Sequence, residues 1–360
     1  MSTEIALSVL DLIPVRGEQT TGQALAASRE LVARADALGF TRYWVAEHHN
    51  MPSVASTTPG VELMYLGQGT ERIRLGSGGV MLPNHAPLAV AEQFSLLAAV
   101  YGDRIDLGIG RAPGTDPITS AAMRGHLGDG HMVDAEGNRI DPVEQFPQHI
   151  MDILALLGPD GASVPLHGGK EHVLRATPSL RVAPQVWLLG SSGYSAQLAA
   201  ALGLPYVFAH HFAGRGTEAA LNLYRESFRP SQFGSEPRTF LTLNAVVADT
   251  QREADALAEP YLYSMANLRV GAPMTSVPLA GDDVAAKMTD GHRRVADALR
   301  DSWVIGDAAA AAEQIRQTAH RFQVDEVMIH PVAGAYPDEP YERAQARVRT
   351  LELLAGELRG

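Results

Sequence analysis

The sequence has no cysteine. That excludes disulfides, thiolate nucleophiles and cysteine-ligated zinc or iron–sulfur centres. Lysine occurs only as Lys170 and Lys287, so arginine carries almost all the positive charge. Against 29 basic residues stand 41 acidic ones, for a formal charge of −12, and no basic stripe breaks this balance. A nucleic-acid partner, which needs concentrated basic charge, is not expected. No run approaches the roughly 18 uninterrupted apolar residues of a membrane span. The start, MSTEIALSVLDL, sets Glu4 and Asp11 around a short apolar run and lacks the basic opening and long apolar stretch of a secretion signal. The expectation is a soluble cytoplasmic protein with no membrane partner. Also missing are a phosphate-binding GxxxxGK[ST] loop, a GxGxxG-type dinucleotide fingerprint, and any His-x-His or His-Glu-x-x-His pair.

What is present is a large apolar fraction, 46%, and a regular alternation. Ile5–Leu10, Tyr43–Ala46, Ile73–Leu82, Arg104–Gly110, Gln185–Leu189, Tyr206–Ala209, Phe240–Ala248 and Glu326–His330 are short, nearly continuous apolar runs, as expected of parallel strands buried on both faces. Helical patterns separate them. Leu25, Leu31, Val32, Ala35 and Leu38 fall near helical spacing, as do Val90, Phe94, Leu97 and Tyr101. Thr58–Pro59 reads as an N-cap followed by proline in the first turn, and Asp307 as the cap of a helix over Ala308–Arg321. A weak repeat supports βα units: ALGF leads into YWVAEHH and ALGLP into YVFAHH, each a helix ending at Gly before a strand that ends in two histidines. A doubly wound sheet would use such units too, but eight strands favour an α/β fold closed as a (β/α)8 TIM barrel, one domain over 1–360. Two polar stretches, 111–141 and 270–302, do not fit a βα unit and are candidate lids over the catalytic face, with solvated surface insertion as the alternative.

Barrel enzymes build their sites where strands end. Those ends carry Glu47, His48 and His49, then His85, Arg111, Gly190-Ser191-Ser192-Gly193, His210-His211, and His330. Histidines converging on one face suit metal binding or proton chemistry. Adjacent strand residues point to opposite sides, so each His-His pair supplies one imidazole to the mouth, which weakens the metal reading. The Gly190-Ser191-Ser192 turn, between a strand and a helix, offers backbone N–H groups and hydroxyls to an anion, and Arg111 ends the neighbouring strand with a bidentate donor. Ser77-Gly78-Gly79 inside a strand marks either tight packing or the close approach of a flat ligand.

Taken together, AEHH, RLGSGGVMLP, PLAVAEQFSLLAAVYGDR, LGIGRAPG, WLLGSSGYSAQLAAALGLPYVFAHHF and FQVDEVMI resemble, in order and spacing, the bacterial luciferase-like flavin-dependent monooxygenases. The resemblance spans essentially the whole chain and is most specific in its first 115 residues. It implies a barrel with FMN across the strand ends. The phosphate would lie near Arg111, Gly190, Ser191 and Ser192, and the isoalloxazine against Ser77, Gly78 and Gly79, with a non-proline cis peptide at Gly78–Gly79. It implies His48 as the active-site histidine, with Glu47 beside it to orient a ring or a nearby imidazole. It implies reduced FMN delivered by a separate flavin reductase, O2 added to give a peroxyflavin, a small organic substrate, and a homodimer through the helices at Pro59–Gly69 and Pro87–Tyr101. Luciferase itself has a reactive cysteine where this chain has Gly110, so light emission is not expected. The stretch 270–302 corresponds to the family's mobile loop but shares little with it, so no substrate carries over. The alternatives are a relative using the deazaflavin F420 for hydride transfer, a metal-dependent hydrolase barrel, and a non-catalytic flavin-binding protein.

Overall fold

All eight apolar runs are strands in the computed structural model, which describes residues 5–125, 132–133, 139–140, 143–213 and 215–359. They are β1 (Ala6–Asp11), β2 (Arg42–Val45), β3 (Arg74–Ser77), β4 (Ile105–Gly110), β5 (Gln185–Gly190), β6 (Tyr206–Phe208), β7 (Thr239–Ala248) and β8 (Glu326–Pro331). Neighbours pair in parallel around the ring, and pairing of Gln185 to Leu189 with Asp106 to Gly110 closes it. The helices that return the chain are α1 (Thr21–Ala37), α2 (Pro59–Leu66), α3 (Pro87–Tyr101), α4 (Phe146–Leu157), α5 (Gly193–Leu202), α6 (Thr217–Ser227), α7 (Ala308–Phe322) and α8 (Gln345–Arg359). The chain is an eight-stranded parallel (β/α)8 barrel.

The two-residue period of a strand sorts its side chains. Leu7 and Val9, Tyr43 and Val45, Leu241 and Leu243, Val327 and Ile329 join the main core beneath the helices. The alternate positions fill the barrel in layers. Leu10, Trp44, Trp187, Val207, Phe240 and Met328 form a dry middle layer, with Trp44, Trp187 and Phe240 in mutual ring contact at 5.1–5.7 Å. Below lies a charged layer at the strand starts. Arg42 donates to Asp106 and to Glu326, each at 2.8 Å, while Arg74 and Trp44 Nε1 donate to the same Asp106. The Arg42 guanidinium also lies over Trp187. Above lies the mouth.

Several local expectations change. The strand expected over Ile73–Leu82 breaks at Gly78–Gly79, whose peptide is cis, and resumes at Val80–Met81 against Ile109–Gly110. Thr58 precedes Pro59 as expected, but its side chain caps nothing; the Glu62 carboxylate reaches back to the amides of Thr57 and Thr58 instead. Asp307 does cap α7, accepting from the Ala310 amide. His210-His211 does not end a strand but opens a short helix, His210–Ala213. A hairpin (Ala162–Pro165 with Glu171–Leu174) and a further parallel strand, Val304–Asp307 on the overhanging end of β7, are absent from the sequence reading. Among the described residues, no helix is long and apolar enough to cross a membrane.

Arg42 and Asp106 are 6% and 0% exposed. Removing one member of a buried, hydrogen-bonded pair strands the other, at a cost of about 3–5 kcal/mol. Arg42→Met is therefore expected to lower unfolding stability by about that amount in a urea titration. A loss below about 1 kcal/mol would show that the charged layer is no more than filler.

Candidate active site

At the strand ends the inward period of β2 continues from Trp44 and Ala46 to His48, that of β7 from Phe240 to Thr242 and Asn244, and that of β8 from Met328 to His330. Glu47 and His49 follow the outward parity of Tyr43 and Val45. The pair His48-His49 thus splits as its spacing requires.

Glu47 is 1% exposed. Its Oε1 meets Nε2 of His49 at 2.9 Å and Nε2 of His85 at 2.8 Å, and its Oε2 accepts the Met81 amide at 3.0 Å. Burial alone would raise its pKa. The two imidazole hydrogen bonds, the charge of His85 and the Met81 amide outweigh burial and hold it at about 2. Glu47 therefore orients His49 and His85 and ties the loop after β2 to the broken strand. It makes no hydrogen bond to His48.

His48 Nδ1 is buried with no hydrogen-bond partner. Burial, only partly opposed by the Glu47 charge, pushes its pKa down to about 4. Two further imidazoles lie within its electrostatic range. His211 Nδ1 bonds Thr242 Oγ1, and burial takes this ring to about 3. His330 is 3% exposed and packs 6.0 Å from His211, with Nδ1 bonded to Asn244 Oδ1 at 2.8 Å. Burial holds it well below the usual histidine range. All three are neutral at neutral pH. Sequence reasoning named the histidines but missed Asn244 and Thr242. Their signal was legible as polar residues at the alternate, inward positions of the apolar run TFLTLNAVVA.

At the rim, β4 and β5 lie side by side, so Arg111 and the Gly190-Ser191-Ser192 turn meet. The Arg111 guanidinium lies over the Tyr194 ring, 4.3 Å from its centroid. Ser191 and Ser192 are exposed. Ser192 occupies the N-cap of α5 but makes no side-chain hydrogen bond to the first turn. Ser77 is fully buried, and its hydroxyl donates to the Gly108 carbonyl at 2.8 Å. A side chain on Gly78 would meet Leu10 Cδ1 at 2.8 Å, from the layer below.

Described parts of the two inserted stretches pack against loops at the strand ends. In the stretch 111–141, residues 126–131, 134–138 and 141 lie outside the described residues. Its first part is pinned to neighbouring loops: Asn84 donates to the Pro113 carbonyl and Thr115 to that of His49. The stretch 270–302 is docked rather than splayed into solvent. Val277 exchanges main-chain hydrogen bonds with Val15 and Gly17 beside β1, and Ala280 donates to Ala335 after β8. Val277, Ala280 and Ala296 join Tyr261 and Trp303 in a second apolar cluster. Among the described residues, no group of three or more His, Asp or Glu side chains is disposed to hold a metal ion. A cavity of about 800 Å³ lies elsewhere, outside the barrel between α6 and α7, floored by Leu243 and edged by Arg215, Glu218 and Arg321. Of the strand-end histidines only His210 lines it, so the strand ends remain the candidate site.

The family model for luciferase-like monooxygenases matches residues 5–326. A luciferase-like monooxygenase of Escherichia coli (strain K12) is 38% identical over 351 residues, covering 97% of this chain and 96% of that one. Among solved structures, apo-MsnO8 superposes with a TM-score of 0.83 at 30% identity, covering 99% of this chain and 98% of that one. The oxygenating constituent of 3,6-diketocamphane monooxygenase from Pseudomonas putida, solved in complex with FMN, shares the fold at a TM-score of 0.69 and 16% identity, with 98% of each chain covered.

A carboxylate whose pKa is lowered on folding stabilises the fold above its unfolded value and loses that contribution as pH falls toward its folded value. For Glu47 the window runs from about 4.5 down to about 2, and the whole shift corresponds to about 3 kcal/mol. The stability gap between the wild type and Glu47→Gln is expected to be constant from pH 7 to 5 and to shrink below 4.5 in urea titrations. A gap independent of pH down to 3 would deny Glu47 its charge.

Proposed function

The chain belongs to the luciferase-like monooxygenase family, and from that premise we propose that it is a flavin-dependent monooxygenase. It receives reduced FMN from a separate flavin reductase and uses O2 to oxygenate a small organic molecule. The observation that carries this reading is the rim: a guanidinium lying over the Tyr194 ring beside a helix start whose N-cap side chain leaves the first-turn amides unclaimed. Such a corner suits a phosphate monoester. The Gly78–Gly79 segment, free of side chains, suits a flat ring, and the buried, unpartnered Nδ1 of His48 suits a bound partner.

In this reading Arg111 and the amides of Gly190, Ser191 and Ser192 hold the FMN phosphate, and Gly78 and Gly79 back the ring. Ser77 acts indirectly, by binding the Gly108 carbonyl behind that segment. When bound, reduced flavin supplies the electrons that activate O2. The chain's own part is proton placement and dryness. His48, neutral because it is buried, donates or accepts a hydrogen bond at the reacting oxygen without bringing charge into the mouth. Glu47 acts at one remove, through His49 and His85. The docked segment around Val277 and Ala280 helps keep water out.

We also propose a homodimer through α2 and α3, where Val61, Leu96 and Val100 are 67%, 51% and 61% exposed on adjoining helices. Light scattering is expected to give twice the 38.5 kDa chain mass, and Val100→Glu to shift it toward one copy. A monomeric wild type would discard the dimer.

The function is tested by anaerobic titration of metal-analysed protein with oxidised FMN, reduced FMN and F420. Near-stoichiometric preference for reduced FMN is expected. Preference for F420 would move the reaction to hydride transfer, and bound metal without flavin would move it to hydrolysis. Two variants separate the roles. Arg111→Ala is expected to weaken FMN roughly ten- to a hundredfold while sparing riboflavin, which lacks the phosphate. His48→Ala is expected to keep FMN affinity and lose roughly 10²–10⁴ in turnover once a substrate is found. Equal weakening of FMN and riboflavin, or normal turnover per bound flavin, would withdraw the respective assignment.

A further inference from the structure

The side chain of Asn244 joins two of the histidines at the mouth. Its Nδ2 donates to the main-chain carbonyl of His211 at 3.0 Å, and its Oδ1 lies 2.8 Å from Nδ1 of His330. A carbonyl oxygen only accepts, so the amide nitrogen must face His211 and the amide oxygen His330. The amide oxygen also only accepts, so Nδ1 of His330 must carry the hydrogen. Burial keeps the ring neutral, with His211, Arg347 and His48 nearby acting in the same direction. A neutral imidazole protonated on Nδ1 has a lone pair on Nε2, which accepts and cannot donate. The ring is braced edge-on by Tyr261 at 5.8 Å, and Tyr261 packs in turn on Trp303. His48 is unlike it: its Nδ1 has no partner, so nothing in its hydrogen bonding fixes a tautomer.

We propose that His330 is the fixed acceptor that holds the organic substrate, and that this substrate presents a hydroxyl or an N–H group to Nε2. Asn244 is the positioning residue that sets the tautomer. The role as substrate holder rests on the flavoenzyme reading; the tautomer does not. Reduced flavin also carries N–H groups, so cofactor and substrate must be told apart.

The test uses full-length protein labelled with ¹⁵N-histidine and long-range ¹H–¹⁵N correlation spectra. His330 signals are assigned by their loss in His330→Gln, or in His330→Phe where the first variant folds poorly. The flavin-free wild type is expected to show the Nδ1–H tautomer at neutral pH. Phenol, which donates, is expected to shift the Nε2 resonance saturably at a concentration about tenfold or more below that of anisole, its non-donating methyl ether. Asn244→Leu is expected to abolish that preference. An Nε2–H ring, or equal response to phenol and anisole, would overturn the proposal. So would a shift of Nε2 by anaerobic reduced FMN alone, which would assign the acceptor to the cofactor. A protein that binds no flavin yet keeps the tautomer and the phenol preference would refute the flavoenzyme reading and leave the acceptor site standing.

Discussion

Arg42 and Asp106 meet inside the foot of the barrel, and the layers above depend on that meeting. Neither charge would be tolerated in a dry interior alone. Arg42 reaches Glu326 as well as Asp106, and Asp106 gathers Arg74 and the indole N–H of Trp44. The hydrogen bonds thus bind β2 to β3, β4 and β8 in one cluster. The same guanidinium lies over Trp187 and Phe240, so its flat face makes the ceiling of the charged layer and the floor of the aromatic one. A barrel closed in this way at its foot has one open end. The polar groups of the top layer, left over by the same two-residue alternation, are the ones a ligand can reach.

The top layer is polar without being charged. His48, His211 and His330 are each pushed toward neutrality by burial; His48 adds to the effect on the other two, and His211 to that on His330. The carboxylate next to His48 in sequence does not reverse this, because Glu47 turns outward and is held by His49, His85 and the Met81 amide. Arg111, a cation placed for an anion, stands at the rim. This separation suits a cofactor anchored by its phosphate outside a mouth that works by hydrogen bonding. A metal-dependent hydrolase would need a cluster of ligands converging on one point, and no group of three or more His, Asp or Glu is so disposed among the described residues.

Much of this was legible in the sequence, and the misses have physical causes. The eight barrel strands stood out because strands buried on both faces are continuously apolar. Val304–Asp307 did not, since it is short, follows a polar segment, and owes its state to the overhanging end of β7. The hairpin around Ala162–Leu174 has almost no buried face and so no pattern to read. Thr58 matched the N-cap rule, yet its hydroxyl caps no amide, and Glu62 folds back one turn onto the amides of Thr57 and Thr58, ahead of the helix. His85 was visible at a strand end, but its pairing with Glu47, 38 residues away, depends on the break in β3. Asn244 needed the layer count. Only after Phe240 is known to face inward does the alternation place an amide beside His330.

The paired glycines show why a motif needs its surroundings before it means anything. From sequence, Gly78-Gly79 fits tight packing and ligand approach alike. In the fold, a Cβ on Gly78 would strike Leu10, and one on Gly79 would fall 2.8 Å from the Gly108 carbonyl oxygen. Gly79 faces rigid backbone, so packing requires it whether or not a ring ever rests there, whereas Gly78 faces the movable end of the Leu10 side chain and keeps its value as support for a flat ligand. The rim differs. Neither the stacking of Arg111 on Tyr194 nor the uncapped start of α5 is needed to close the barrel, whose interior is already filled by the charged and aromatic layers. A cation held in place for no structural end, at the edge of a neutral mouth, is the feature that function has to explain.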